Sequence, residues 1–217
     1  MTGLLGCGTI ALVTTSRQQV DGRSADDLAA LRRDVELLSA EVSGLTAQLR
    51  RLADIEAIRR LTCDYAYYND ILAGEPYADC FTPEGFMDAT QCDPKIMVHR
   101  GREEIRAVNE AVWEHQAHPR ADGGACIHMQ LNHRVTVLQG DYAEGTVYFV
   151  AWGLSKSGQR SEFIGRYEDK YARTPDGWKF TERVLVPLMP TSSADYKLTE
   201  DDISGRLSTQ AGHDQES

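Results

Sequence analysis

The chain has little that would tie it to a thiolate metal site, to nucleic acid or to a membrane. Its five cysteines are odd in number and form no Cys-x-x-Cys step, which argues against a disulfide framework or a zinc thiolate centre and for a reducing, cytoplasmic setting. Basic residues are in deficit: 23 Lys and Arg stand against 33 Asp and Glu, a net charge of −10. Without a local basic patch such a surface repels nucleic acid and anionic membranes, so neither is an expected partner. A long apolar run is also lacking. Gly3 to Thr15 imitates a signal-peptide core and Leu4-Leu5-Gly6-Cys7 a lipoprotein cleavage site, but no positive segment precedes them and the run stops at Arg17, short of the ~20 residues of a membrane span. At 217 residues, one domain with a core plus extensions is expected.

What is present is periodicity of two kinds. Leu28, Leu31, Val35, Leu38, Val42, Leu45, Leu49 and Leu52 alternate spacings of three and four without a miss. As heptads they read Leu, Val, Val, Leu at a and Leu throughout at d, a mixture compatible with a parallel two-stranded coiled coil; one amphipathic helix lying on its own domain fits the same stripe. A second helix is predicted over Asp54 to Ile71, ended by Gly74-Glu75-Pro76, then a short helix near Tyr77 to Phe81. Pro83-Glu84-Gly85 should turn the chain into short strands at Phe86 to Thr90 and Ile96 to Arg100. A third helix is expected over Arg102 to about His118. After Gly123-Gly124 the period becomes two, and strands are predicted from Ala125, over Gly145 to Leu154, Glu162 to Ala172 and Trp178 to Leu188, joined by Gly- and Asp-bearing turns.

Helices first and a meander of strands afterwards predict an α+β fold with helices packed on one face of a curved, mostly antiparallel sheet. The expected divisions are an apolar or disordered segment over 1–25, the heptad helix over 26–53, an α+β barrel over 54–190 and a mobile polar tail over 191–217. Apolar residues on both parities of the strands, such as Val147 and Phe149 against Tyr148, Val150 and Trp152, suggest that both sheet faces are covered. A homo-oligomer, dimer or trimer, is therefore expected.

Over about residues 45 to 190 the order of elements and several strings resemble the SnoaL-like, nuclear-transport-factor-2-like superfamily, which includes ketosteroid isomerase, scytalone dehydratase and bile-acid 7α-dehydratase. The most specific stretch runs Leu52-Ala53-Asp54-Ile55-Glu56-Ala57-Ile58-Arg59-Arg60-Leu61, followed by Tyr65, Asp70 and Phe81-Thr82-Pro83. Ile127-His128-Met129, Asp141-Tyr142-Ala143 and Gly177-Trp178 add to it. The resemblance implies a cone-shaped α+β barrel holding a small apolar molecule, steroid-like or aromatic. The look is nearest to the bile-acid dehydratase branch, where a Tyr and an Asp five apart on the first helix and a His on the long strand form the active site. The matching residues are Tyr65, Asp70 and His128, while Ala151 and Pro187 stand where that branch has polar residues.

From the residues alone, Tyr65 and Asp70 lie about 140° apart around a helix, so spacing does not put them on one face. A His and a carboxylate meeting in an apolar cavity form a proton-transfer pair, and a Tyr hydroxyl can stabilise an oxygen that gains charge. By themselves Asp70 reads as a helix-end or turn residue and Tyr65 as core; the resemblance implies His128 as acid or base, Asp70 as its partner and Tyr65 as oxygen stabiliser. Trp152, Phe149, Tyr167, Glu182 and Arg183 are expected to bind substrate. Such chemistry requires no cofactor and no metal; the His115-x-x-His118 step is a weak metal signal, because Pro119 ends the helix there. The expected activity is a dehydratase-like lyase reaction. Open alternatives are a deformylating lyase, a double-bond isomerase, and a non-catalytic binding or assembly module.

Overall fold

The computed structural model describes residues 8–90, 98–115, 126–154 and 158–189, without the side chains of residues 8–23, 112–115 and 126. Residues 91–97, 116–125 (His118 among them), 155–157 and the segment 191–217 lie outside the described residues. Contacts divide the chain into two units, Met1–Leu52 and Ala53–Ser217. No described helix is long and apolar enough to cross a membrane.

The first unit is helical. Helix α1 spans Gly8–Asp70, beginning in the first unit and ending in the second, so the heptad run and the Asp54 stretch, expected as two helices, belong to one. Between Leu52 and Asp54 the sequence offers neither Gly nor Pro, and nothing there stops a helix. The eight heptad side chains are 53–67% exposed.

The second unit continues with α2 (Gly74–Ala78), β1 (Phe81–Asp88), β2 (Val98–Arg100), α3 (Gly101–His115), β3 (Cys126–Gln139), β4 (Tyr142–Leu154), β5 (Arg160–Thr174) and β6 (Gly177–Pro187). The strands make one curved, open sheet in the order β2-β1-β6-β5-β4-β3. β3 to β6 form the antiparallel meander, and β1 joins β6 in parallel. The expected α+β architecture is thus present.

Two breaker strings behave differently from their composition. Gly74-Glu75-Pro76 opens α2; a proline in the first turn lacks an N–H that would have had no intrahelical partner. Pro83-Glu84-Gly85 stays inside β1, where pairing with β6 jumps from Phe81 to Phe86. A Cβ at Gly85 would lie 2.7 Å from that of Phe81, so the irregular segment needs glycine for its close approach.

A third irregularity decides what faces inward. Lys170 pairs with Glu182 but Tyr171 with Phe180, leaving Thr181 as an extra residue in β6. The bulge reverses strand parity. Trp178, Phe180 and Arg183 are all buried, whereas Glu182 turns outward to Lys170 Nζ at 2.9 Å.

Arg183 therefore enters the core with no exposed surface and meets Asp169 of β5 in two parallel bonds, Nε to Oδ1 and Nη2 to Oδ2, both 2.8 Å. Its guanidinium lies over Tyr65 at 4.1 Å and over Tyr167 and Phe180 at 4.0 Å. Burial opposes its charge, but the Asp169 carboxylate holds its pKa above the ordinary arginine value. Around it pack Ile58 and Leu61 of α1, Ile105 of α3, and a stack of Phe163, Phe149 and Tyr167. Gly165 sits beneath that stack, where a Cβ would meet the Val186 carbonyl at 2.9 Å and the Phe149 ring at 3.0 Å.

Tyr171 donates its one hydroxyl proton to Asp169 Oδ2 at 2.9 Å, so its 3.3 Å contact with His133 Nε2 has the imidazole as donor. Burial first, with Arg183 and Arg59 adding repulsion, lowers the His133 pKa to about 4, against the opposing pull of Asp169.

Two stability outcomes are expected. Asp169→Asn leaves a buried guanidinium uncompensated and should cost ~3–5 kcal/mol in urea unfolding, while Asp169→Leu with Arg183→Met should cost less than either single change. The native state binds fewer protons at His133 than the unfolded chain, whose His titrates near 6.5. Its contribution is therefore fully present above that pH and lost as pH falls toward 4. Urea midpoints between pH 7.5 and 4.5 should fall, and His133→Gln should flatten part of that fall.

Candidate active site

α1 ends on Asn69 and Asp70, and Leu72 at a φ of 54° turns the chain away. The first residues of β3 come to this helix end. The backbone N–H of His128 reaches both Asp70 oxygens, at 2.9 and 3.1 Å, and the ring Nδ1 lies 2.6 Å from Oδ1. A carboxylate accepts, so Nδ1 carries the proton and Nε2 presents its lone pair. The Asn69 amide nitrogen lies 3.2 Å from Nε2. Asn109 of α3 donates to the Asn69 oxygen at 2.9 Å, which leaves the Asn69 NH2 to face the ring. The two consecutive residues at the end of α1 thus hold opposite sides of one imidazole. The dyad is partly open: the His128 and Asp70 side chains are 12% and 22% exposed.

Beside the dyad lie polar atoms with nothing to bond. His128 pairs across the sheet with Ala151, which pairs with Phe163; two residues on, Gln130 pairs with Phe149. Gln130 shares the inner face with His128, and both its amide atoms are buried without a partner, as is Asn109 Oδ1. Each such atom costs about 1–3 kcal/mol if nothing satisfies it, so a bound polar group or water is the natural complement.

The other expected site residues fall into two places. Tyr65 is buried in the core, its hydroxyl accepting from Tyr77 at 2.9 Å and pointing to Met87 sulfur at 3.7 Å. Burial raises its pKa, partly offset by Arg183. Phe149, Tyr167 and Arg183 are buried in the same aromatic interior. Trp152 and Glu182 lie on the outer face, bonded to Glu162 and Lys170. Trp152 there lines an open pocket of about 540 Å³ with Ile127, Leu154, Arg160 and Glu162, on the face opposite His128. The structure brings Asp70 and His128 together and does not bring Tyr65, Trp152 or Glu182 to them. It adds Asn69, Asn109 and Gln130. Asn109 had a legible signal, a polar residue four after Ile105 on the apolar side of α3; Asn69 had none beyond its place next to Asp70.

Among the described residues no group of three His, Cys, Asp or Glu side chains could hold a metal ion. His115 and His118 are outside those described side chains.

Residues 50–184 match the family model of the SnoaL-like domain. Comparison with curated proteins finds no match. Among solved structures, the chain is similar to a Novosphingobium aromaticivorans protein named for an aromatic ring hydroxylase, at 28% identity and a TM-score of 0.60, covering 66% of this chain and 94% of that one. It is similar to a second protein of that organism, named for scytalone dehydratase, at 19% identity and a TM-score of 0.58, over 69% and 93% of the two chains. A third is the hexachlorocyclohexane dehydrochlorinase LinA-type3 of Novosphingobium barchaimii, at 20% identity and a TM-score of 0.55, over 70% and 98%. At the two lower identities the likeness speaks for the fold alone.

The dyad geometry has a direct spectroscopic consequence. Nitrogen-15 spectra at neutral pH should show His128 protonated at Nδ1, with Nε2 as acceptor, and Asp70→Ala should shift the ring toward the opposite tautomer. A His128 already protonated at Nε2 in the parent protein would contradict the hydrogen-bond assignment.

Proposed function

The chain belongs to the SnoaL-like domain family, and on that premise we propose that it is a cofactor-independent lyase eliminating water from a small cyclic or aromatic substrate. The observation that carries the reading is the Asp70–His128 pair with its Nε2 lone pair directed away from the carboxylate. Two proteins of the same fold carry names of elimination enzymes, the scytalone dehydratase and dehydrochlorinase neighbours, which favours this class over the others.

In the proposed reaction Nε2 takes a proton from a carbon next to an activating carbonyl or aromatic hydroxyl. The C–H electron pair becomes the new double bond, the C–O bond on the adjacent carbon breaks, and the imidazolium returns its proton to the departing hydroxide, releasing water. Asp70 keeps the ring oriented and stabilises its positive state. The C-terminal end of α1, with its partial negative charge, acts in the same direction. Gln130, with an unpartnered buried amide, donates to the oxygen that gains charge. It takes the part expected of Tyr65, whose hydroxyl is engaged by Tyr77. Substrate must displace the Asn69 amide from Nε2, and that contact is what favours a second reading, a binding module in which the lone pair stays occupied.

Incubation with a panel of hydroxylated steroids and aromatic diols, followed by mass spectrometry, separates the two. Loss of 18 mass units, the mass of water, that falls ~10²–10⁴-fold in His128→Ala is the expected result, with the near-ultraviolet dichroism of the variant unchanged. Retention of most of the rate in His128→Ala would refute the assignment. Binding of panel members without turnover in the parent protein would favour the binding module.

A further inference from the structure

We infer that the heptad segment of α1, Leu28 to Leu52, pairs with the same segment of a second copy as a parallel, in-register two-stranded coiled coil. This is independent of the catalytic reading. Eight apolar side chains occupy every a and d position over four heptads, and each is more than half exposed. At roughly 100 Å² of buriable apolar surface apiece, both helices together reach the ~1,200–2,000 Å² that specific interfaces bury.

The occupant follows from side-chain shape and charge. The two inner a positions are Val35 and Val42, the outer two Leu28 and Leu49, and every d is Leu; β-branched residues in the inner a layers with leucine at d favour two parallel strands, since a β-branched side chain fits the a layer of a dimer and leucine its d layer. Asp27, Asp34 and Glu41 occupy g, and Arg32, Ser39 and Thr46 occupy e. In a parallel pair each g residue faces the e residue five further on in the partner, so Asp27 meets Arg32 on both sides of the seam and no like charges meet. An antiparallel pair apposes g with g, placing Asp34 against Glu41 twice. A foreign helix would have to reproduce this pattern to match it; a second copy does so by identity. Gly44 falls at c, pointing away from the seam, where a Cβ would meet nothing within 4 Å. It lowers helix propensity without opening a hole in the core.

The test uses the full-length chain. Leu31→Cys places a thiol at a d position near one end of the seam, where parallel partners are adjacent and antiparallel partners are several turns apart. Mild oxidation at micromolar concentration should convert most of this variant to a covalent dimer, well above the wild-type level set by the native cysteines. Adding Leu38→Glu and Leu45→Glu should abolish that cross-link and raise the dimer dissociation constant at least ~100-fold by sedimentation equilibrium, because four carboxylates would then be buried in the seam. Near-ultraviolet dichroism confirms that the second unit is still folded. Cross-linking no greater than wild type, whether from a monomer or from an antiparallel or sheet-mediated dimer, overturns the inference. So does an unchanged association constant in the double-glutamate protein.

Discussion

A guanidinium with no access to water sits at the centre of the sheet's inner face, and its charge can be held there only by the carboxylate that meets it. The Arg183–Asp169 pair ties β6 to β5, while three aromatic rings lie against the guanidinium. Tyr171 and His133 extend the polar chain to β3. An apolar pair of similar volume could fill the same space, so the ion pair is better seen as a constraint than as a gain. Any register that turned Arg183 elsewhere would strand Asp169 in the aromatic interior, which ties the β6 bulge to the one observed pairing.

That arrangement also separates the buried phenols from the Asp70–His128 dyad. Tyr65, Tyr77, Phe81, Tyr167 and Phe180 close the interior around Arg183, and burial pushes the pKa of Tyr77 and Tyr167 well above the ordinary value. These phenols are proton-bound packing groups near neutral pH. The Asp70–His128 dyad lies apart from them, where α1 stops and β3 starts. There His128 keeps partial access to solvent and the surrounding amides are buried but not all satisfied.

Much of this was legible from local pattern. The change of period after Gly124 marked the meander, because alternate residues of a strand must face opposite environments. The pairing of Asp70 with His128 came through likeness to a family, since 58 residues separate them and the helical angle between Tyr65 and Asp70 argues for no common target. Tyr65 illustrates the opposite case: its family match alone points toward a site, yet its hydroxyl meets Tyr77.

The sequence by itself determined the acidic character, which is composition alone, and the heptad stripe and the order of helices and strands, which depend on neighbours within a few residues. Tertiary structure decided which side of each irregular strand faces inward. One extra residue in β6 carries Glu182 out to Lys170 and Arg183 in to Asp169. It also decided that Asn69, Asn109 and Gln130 gather around the dyad, a convergence of α1, α3 and β3. A bulge inverts every side chain beyond it, and its position is set by the partner strand and the packed core, so no periodicity along one strand could reveal it.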